Sequence, residues 1–490
     1  MAIKHQFVKK LVLFFYILFY MLSGCKKLIE VPPPANSLSS ENVYTTDATA
    51  ASILTAIYAE LSISSPVVST DITGISLTSG LSCDELSIYG GSANANSFLV
   101  PFYLNRLSPG IPSSPGSFTF DAIYNHLYTV NIALEKLSVS NSLTPSVKRQ
   151  LMGEAKFMRG FFYFYLANLY GAIPLTTTSD YMPNNELARS LPSIVYQQVI
   201  ADLTDASVLL NDDYVSADAK SYTIERVRPN KSAASALLAR AYLYSGVYDS
   251  AEVKSTSVIN DESKYSLTTL DSAFLKNSNE AVWQLQPVNA GWNTEDARVF
   301  ILPSLGPSTS TAQNHPVYLS PQLLFSFEAG DRRRAHWVDS VQVKISTGSA
   351  TFYYPYKYKS AILNAPVTEY LIVLRLAEQY LIRAEARAQQ NNIAGAQSDL
   401  NRIRMRAGLS NTTASDRNTI LTAILHERQV ELFTEWGHRW LDLKRTGNID
   451  GVMNTVAPAK GTSWSTNWQL YPIPAYDIYQ DPHLTQNLGY

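Results

Sequence analysis

Apolar residues recur at helical spacing in residues 145–171, which begin with Pro145 and end with Gly171. The recurring positions are Leu151, Ala155, Met158, Phe162, Tyr165 and Leu169. Steps of three or four residues place such side chains on one face of a helix, while proline favours its start and glycine its end. We therefore predict a long helix with one buried face.

Two further stretches predict helical hairpins. In residues 230–259, small residues at Ala233, Ala236 and Ala239 precede a turn at Gly246 and a second helical segment. Residues 375–408 repeat the arrangement around a break at Asn391. Small residues let helices approach closely, and this helix-turn-helix pattern resembles a tetratricopeptide unit. The pattern predicts a mainly α fold, in which stacked hairpins form a scaffold and strands are few and short.

Three segments, 71–118, 287–318 and 351–366, break this helical pattern. They mix Ser, Gly, Pro and Asn with aromatic residues, and the third has the pattern of an aromatic strand pair or a loop. Directly before the second segment, the stretch "AVWQLQ" predicts a strand with Trp283 facing the core. Long irregular insertions in a rigid frame commonly carry function. No linker divides the chain, so we expect residues 46–490 to form one domain with these three insertions.

The N-terminal apolar run, Leu11 to Leu22, is twelve residues long, whereas a helix crossing a bilayer needs about 20. Lysines precede the run and small residues end it, which is the layout of a secretory signal peptide. The sequence "LSGC" also resembles a bacterial lipobox and predicts cleavage after residue 24 and lipidation of Cys25. The alternative is a plain signal peptide. Residues 25–45, which contain the run "VPPPANS", would then form the lipidated N-terminus and a spacer.

Composition excludes some partners. The net charge is −2 and charged residues make up 16% of the chain, against roughly 25% in typical globular proteins. Bulk electrostatic attraction to nucleic acid is therefore not expected. If Cys25 is lipidated, Cys83 has no partner, so the exported protein must fold without disulfides.

The familiar catalytic and metal-binding motifs each lack a required residue in this sequence. In "HERQV", the second histidine of a zinc-protease motif is replaced by Val430, and the seven histidines include no pair four residues apart. Segment 461–465 lacks the second glycine of the esterase motif G-x-S-x-G. We therefore predict no metal and no cofactor.

The charged motifs have structural explanations. Glu427, Glu431 and Glu435 share one helix face with Arg428, Arg439 and Lys444 nearby, which favours a buried ion network over a catalytic carboxylate pair. The basic run 332–334 directly follows Asp331 and is predicted to be a helix end or an ion-pairing cluster.

Several long motifs together resemble one family. "RLAEQYLIRAEA", "LNRIRMRAG", "ILHERQVELFTEWGHRWLDLKRTG", "YPIPAYDI" and "DPHLTQNLGY" are similar to the SusD/RagB family of Bacteroidetes outer-membrane nutrient-binding lipoproteins, and the resemblance covers nearly the whole mature chain. The chain departs from the family at Leu488, where proline is common, and in residues 26–30, which are less acidic than many surface-export signals.

The resemblance implies a helical body with four tetratricopeptide-like hairpins, an irregular ligand-binding face and no catalytic residues. It also implies a lipid-anchored protein, exposed at the outer membrane, that acts as a lid on a SusC-like TonB-dependent transporter. The implied ligand is a glycan, or a peptide in some branches of the family. The alternative to a binding protein is an enzyme, a glycoside hydrolase.

A sugar binder needs flat aromatic platforms and nearby hydrogen-bonding groups. The irregular segments supply both. Trp292 is the favoured platform because polar residues flank it, while loop packing is the alternative role for every candidate. The candidates are Tyr89, Phe102, Tyr103, Trp292 and Tyr354 as platforms, and Asn94, Arg106 and Asn293 as polar partners.

Overall fold

The structure is a computed structural model and describes residues 43–63, 74–94, 98–110, 117–310, 315–345 and 348–490. The predicted signal peptide, the lipidation site Cys25 and the spacer up to residue 42 lie outside the described residues. In the part that is described, no helix combines the length and the apolar composition needed to cross a bilayer.

Helices dominate the described residues, as the sequence predicts. Those before residue 260 are α1 (Asp47–Ile63), α2 (Ile75–Ser82), α3 (Gly91–Asn94), α4 (Val100–Tyr103), α5 (Ser117–Val139), α6 (Pro145–Tyr170), α7 (Tyr181–Asn184), α8 (Pro192–Leu209), α9 (Lys231–Tyr244) and α10 (Tyr248–Ile259). The later helices are α11 (Glu295–Phe300), α12 (Pro321–Ser326), α13 (Arg332–His336), α14 (Leu376–Gln389), α15 (Ile393–Arg406), α16 (Arg417–Leu432), α17 (His438–Arg445), α18 (Ile449–Ala459) and α19 (Ala475–Gln480).

Helix α6 runs through the centre of the molecule, between α5 and α8. The sequence predicts one buried face, but from residue 150 to residue 170 all residues of α6 are buried except Met152, Lys156 and Asn168. Its charged residues tolerate this position because each has a partner: Glu154 contacts Arg228 at 2.6 Å and Arg159 contacts Asp202 at 2.7 Å. Buried charges that are paired in this way avoid the cost of an isolated ion.

Both predicted hairpins are present and form part of a helical stack. Helices α9 and α10 join at Gly246, which adopts φ +76°, and α14 and α15 join at Asn391, which adopts φ +62°. The alanine side chains at 233, 236 and 239 are fully buried. Helix α10 packs against α14, so the two hairpins stack into the predicted scaffold.

The short strands pair in three antiparallel ribbons. These are β1 (Leu86–Ile88) with β3 (Val317–Leu319), β2 (Ala281–Leu285) with β6 (Leu371–Arg375), and β4 (Val338–Ile345) with β5 (Gly348–Pro355). Trp283 is fully buried in β2, as predicted, and its indole N–H donates to the carbonyl of Val227 at 3.0 Å. Segment 351–366 does not pair with itself, because β5 pairs with the upstream strand β4.

The first irregular segment contains more regular structure than its sequence indicates. Helix α2 lies within it, and all eight of its residues are buried. A helix that is covered on every side needs no polar face, so its sequence shows no helical period. Helices α3 and α4 and strand β1 follow in the same segment.

The three glutamates on α16 and the loop after it are buried in ion pairs. Glu427 contacts Arg333 at 2.7 Å, and Arg375 contacts Glu431 at 2.6 Å and Glu435 at 2.7 Å. The ion network was therefore predicted correctly, but its main cations come from α13 and β6. The arginines that the sequence places nearby pair elsewhere: Arg428 contacts Asp442, and Arg439 contacts Asp84.

Candidate functional site

Four half-buried aromatic side chains lie together among the irregular segments, and we call them the aromatic wall: Tyr89, Tyr103, Tyr318 and Phe352. The ring of Phe352 meets Tyr89 edge-on at a centroid distance of 5.5 Å and Tyr318 at 5.1 Å. Tyr103 lies near Tyr318, whose phenol helps burial to raise the pKa of Tyr103. Edge-to-face contacts of this kind hold rings in defined orientations.

Strand pairing explains why these rings face outward. In the β1–β3 ribbon, Ser87 pairs with Tyr318, while the residues on either side of both are buried. Side chains alternate between the two faces of a strand, so Tyr318 lies on the face opposite the core. Tyr89 directly follows β1, and its N–H donates to the carbonyl of Pro316 at 2.8 Å. The wall is thus attached to paired strands.

Phe352 and Tyr103 reach the wall from other elements. Phe352 lies in β5, opposite Val341 on β4. Tyr103 ends α4, and its ring centroid lies 5.0 Å from the Lys460 ammonium. That ammonium donates to the carbonyls of Leu81 and Cys83 at 2.5 Å and 2.6 Å, close to the end of α2. Because these hydrogen bonds fix Lys460, its ammonium has a defined position beside the Tyr103 ring.

The phenols of Tyr103 and Tyr318 are neutral hydrogen-bonding groups. Burial raises the pKa of Tyr318, and a hydrogen bond with Ser87 partly offsets the rise. Burial likewise raises the pKa of Tyr103. Both hydroxyls therefore stay protonated at neutral pH, where each can donate and accept a hydrogen bond. The surface combines flat apolar faces with hydroxyl groups at their edges.

The structure places two of the predicted platforms, Tyr89 and Tyr103, in this wall. It does not place Phe102 there, although Phe102 is the immediate neighbour of Tyr103. Phe102 is fully buried, with Tyr471 at a centroid distance of 5.7 Å and Phe98 at 6.3 Å. Its ring belongs to the core because successive residues of α4 point to different sides, and we remove it from the candidates.

Asn293 is also buried, and its carboxamide is fully occupied. Its Nδ2 donates to Ser360 Oγ at 3.0 Å and to the carbonyl of Pro366 at 3.2 Å. Its Oδ1 accepts the N–H groups of Thr368 at 2.9 Å and Glu369 at 3.0 Å. Asn293 therefore joins two loops and has no capacity left for a ligand.

Trp292, the favoured platform, is half-buried but stands apart from these ring contacts. The Arg298 guanidinium lies 4.6 Å from its ring centroid, and Arg298 itself contacts Glu295 at 2.7 Å. One face of the indole is therefore covered by a paired cation. Trp292 remains a candidate for a contact beyond the wall.

The remaining candidates differ in exposure. Tyr354 is buried, and its hydroxyl donates to Asp339 at 3.1 Å, so it contributes little surface. Arg106 is exposed beside Trp468, with its guanidinium 5.7 Å from the ring centroid. Asn94 lies in α3, and its side chain is outside the described residues.

Sequence reasoning missed Tyr318 and Phe352. The signal for Tyr318 is the short alternation "VYL", with two apolar residues around one aromatic residue. Phe352 lies in "TFYYPY", where adjacent aromatic residues conceal which side chains share a face. Their contact also depends on pairing between strands that are distant in the sequence.

Two pockets occur elsewhere on the molecule. One of about 220 Å³ lies between α1 and the end of β2, beside Tyr58 and Arg228. Another of about 600 Å³ lies among α9, α14, α16 and α17, beside Tyr244 and Arg445. Neither is lined by a wall residue. The half-exposed rings of the wall offer a surface that an extended polymer can follow.

The part of the chain that is described contains no group of three or more His, Cys, Asp or Glu residues placed to hold a metal ion. The groups that the structure places at the wall are aromatic rings, phenol hydroxyls and the neighbouring cation of Lys460. These groups suit recognition through stacking and hydrogen bonding.

Comparisons with known proteins agree with this fold. A family profile described as "SusD family" matches residues 288–490, and one described as "Starch-binding associating with outer membrane" matches residues 113–243. The SusD-like protein P2 of Formosa agariphila is 25% identical over 532 aligned positions, which cover 98% of this chain and 99% of the relative.

Solved structures extend the likeness to three dimensions. A SusD superfamily protein from Bacteroides vulgatus has a TM-score of 0.75 and 19% identity, and the match covers 91% of this chain and 99% of that one. A laminarin-binding SusD-like protein has a TM-score of 0.71 and 24% identity, covering 90% and 99%. At these identities, the likeness shows a shared fold.

Proposed function

Because this chain belongs to the SusD family, we propose that it captures glycans on its aromatic wall and passes them to a TonB-dependent outer-membrane transporter. The observation that carries the proposal is the cluster of four half-buried rings that come from all three irregular segments. The laminarin-binding relative gives support, since its name states a glycan ligand for the same fold.

The chemistry of the wall suits a sugar chain. Sugar rings present apolar C–H faces edged by hydroxyls, and the wall offers ring faces with phenol groups at their edges. Taking about 1 kcal/mol for each ring contact, three or four contacts give a dissociation constant on the order of 1–10 mM. Exposed hydrogen bonds add little. Attachment to a transporter would then supply the retention that the isolated site lacks.

The site also fits binding better than catalysis. Glycosidases use two carboxyl groups on either side of the scissile bond. The glutamates aligned on one face by the sequence, Glu427, Glu431 and Glu435, are instead sealed in ion pairs with arginines. A peptide lid remains the second candidate, because aromatic loops also serve peptide ligands.

Lipidation at Cys25 would hold the protein at the outer membrane, with residues 25–45 as its attachment and residues 46–490 as a single ligand-binding domain. The buried side chains of Val43 and Tyr44 support a folded body that begins close to residue 46. Globomycin, which blocks lipoprotein signal cleavage, would cause the uncleaved precursor to accumulate if Cys25 is the lipidation site. A Cys25→Ala variant would not respond in this way.

The proposal is tested by a binding screen of the soluble protein from Lys26 onward. Immobilised polysaccharides and peptide pools are offered, and recovered ligand is assayed for new reducing ends. We expect intact glycan to be retained, Tyr318→Ala to weaken retention, and Tyr181→Ala to leave it unchanged, since Tyr181 is exposed on α7. Retention of peptide alone would overturn the ligand class, and new reducing ends would overturn the assignment as a binding protein.

A further inference from the structure

A second aromatic platform lies next to the wall, in the segment "GTSWSTNWQ" at residues 461–469. Trp468 is half-buried in the 3-10 turn Thr466–Gln469. The exposed guanidinium of Arg106 lies 5.7 Å from its ring centroid. Arg106 Nη2 also donates to Ser463 Oγ at 3.4 Å. The segment thus combines an indole ring, a cation and small hydroxyl side chains on one exposed surface.

This platform is continuous with the wall through Tyr103. Arg106 follows Tyr103 by three residues, and its N–H donates to the carbonyl of Pro101 at 2.8 Å. Between them, Asn105 is buried at φ +53° and donates through Nδ2 to the carbonyl of Ser82 at 3.1 Å. This buried anchor fixes the turn, so Arg106 has a defined position beside Tyr103.

The guanidinium of Arg106 has no carboxylate partner among the described residues, unlike that of Arg298. Arg298 also lies over a tryptophan, Trp292, but Glu295 holds it with two contacts of 2.7 and 2.9 Å. Within the described residues, the recorded contacts of Arg106 are a serine hydroxyl and an indole ring, both uncharged.

Asp450 contacts the 461–469 segment, but its partners there are residues other than Arg106. Asp450 accepts the indole N–H of Trp464 at 2.7 Å and the hydroxyl of Thr466 at 3.0 Å. A guanidinium stacked on an aromatic face keeps its N–H edge available, and that planar edge matches a carboxylate or a sulfate. The surrounding hydroxyls match the rest of a sugar ring.

We propose that Arg106 and Trp468 form a second sugar subsite that binds an acidic unit, carboxylated or sulfated, of a glycan whose neutral portion lies on the wall. Trp468 stacks against the sugar ring, and Arg106 binds its anionic group. Tyr103 stands between the two subsites. This inference rests on the proposed function, because it names a property of the glycan that the wall captures.

The test uses two matched pairs of probes, measured by titration calorimetry at fixed ionic strength. The first pair is oligogalacturonate and its methyl ester, and the second is a carrageenan oligosaccharide and its desulfated form. The two pairs distinguish a carboxylate from a sulfate. The proteins are the wild type, Arg106→Gln, Arg106→Lys, and the control Arg332→Gln, which alters another exposed arginine.

We expect the wild type to bind the charged member of at least one pair about tenfold more tightly than its neutral partner, as hydrogen bonds to charged groups imply. Arg106→Gln should abolish that preference, because it should lower the affinity for the charged member about tenfold more than the affinity for the neutral member. Arg106→Lys should keep only part of the preference for the charged member, because lysine lacks the planar fork of the guanidinium. Arg332→Gln should behave as the wild type.

Equal wild-type affinity for both members of each pair would overturn the inference while leaving glycan capture intact. An equal loss for charged and neutral members in Arg106→Gln would also overturn it. Failure of the wild type to bind all four probes and every glycan in the wider screen would overturn the proposed function as well, and the two failures are therefore distinguishable.

Discussion

The helical frame and the aromatic wall differ in how exposed their side chains are. The frame buries its charged groups in ion pairs, whereas the wall leaves its aromatic rings half-exposed. In the frame, Arg375 contacts Glu280, Glu431 and Glu435 within 3 Å, and all four side chains are buried. In the wall, Tyr318 and Phe352 contact other rings and remain half-exposed.

This difference separates structural from ligand-facing groups more reliably than residue type does. The acidic motifs of the sequence resemble catalytic machinery, yet their charges are fully paired inside the frame. The wall has no conspicuous motif, yet it keeps ring faces and hydroxyl groups available. Saturated contacts indicate a role in folding, while free surface on a rigid support indicates a role in binding.

The largest effect is expected for Arg375→Ala. Its removal leaves three buried carboxylates without their central cation, and breaking a buried pair costs about 3–5 kcal/mol. Urea unfolding should show a loss of this size, while the exposed control Arg332→Ala should lose less than about 0.5 kcal/mol. A loss below about 1 kcal/mol for Arg375→Ala would contradict the structural role of the network.

The neighbours Phe102 and Tyr103 allow the same comparison between a buried ring and a ligand-facing ring within one helical turn. Phe102→Ala should lower the free energy of unfolding by about 3 kcal/mol, because it removes a fully buried ring. Tyr103→Ala should lose less stability but weaken glycan binding. Thermal unfolding and titration of both variants test this division, and an equal stability loss in the two would contradict it.

A pH effect is expected at Glu85, the buried residue before β1. Burial, with a contribution from Asp84, raises the pKa of Glu85 to about 8. The unfolded chain releases this proton near its ordinary value, so the folded state binds more protons between about pH 4.5 and 8. Stability from this group is complete below that window and is lost as the pH rises through it.

The variant Glu85→Gln should therefore lose less stability than the wild type between pH 5 and pH 8, by on the order of 3 kcal/mol. Urea midpoints across this range measure the difference, and Glu186→Gln, at an exposed position after α7, is the control. Parallel pH profiles for the wild type and Glu85→Gln would show that Glu85 is ionised in the fold.

The smallest effect is expected for Tyr318→Ala. Loss of one stacking ring should weaken glycan binding by about 1 kcal/mol, or roughly fivefold, with little change in thermal stability. Tyr318→Phe should keep most of the affinity because it keeps the ring. Equal affinity in the wild type and Tyr318→Ala would remove Tyr318 from the site.

The sequence predicts the helical frame well because helical periodicity is local. The apolar spacing of residues 145–171 and the turns at Gly246 and Asn391 are visible within a few residues of the chain. The wall is harder to predict because it depends on distant pairing: Ser87 and Tyr318 meet only when β1 and β3 form a ribbon.

Local composition also cannot separate neighbours whose burial is decided by the tertiary structure. Phe102 and Tyr103 share the same surroundings in sequence, yet one is in the core and the other is on the wall. Asn293 has the polar flanks of a binding residue, but its four hydrogen bonds join two loops.

The most direct test of the central claim is a crystal structure of the protein with the best-binding oligosaccharide from the screen. We predict sugar rings within about 4 Å of Tyr318 and Phe352, the distance of van der Waals contact. An oligosaccharide in the pocket beside Tyr244 and Arg445, with the wall unoccupied, would contradict the claim that the aromatic wall is the ligand-binding face.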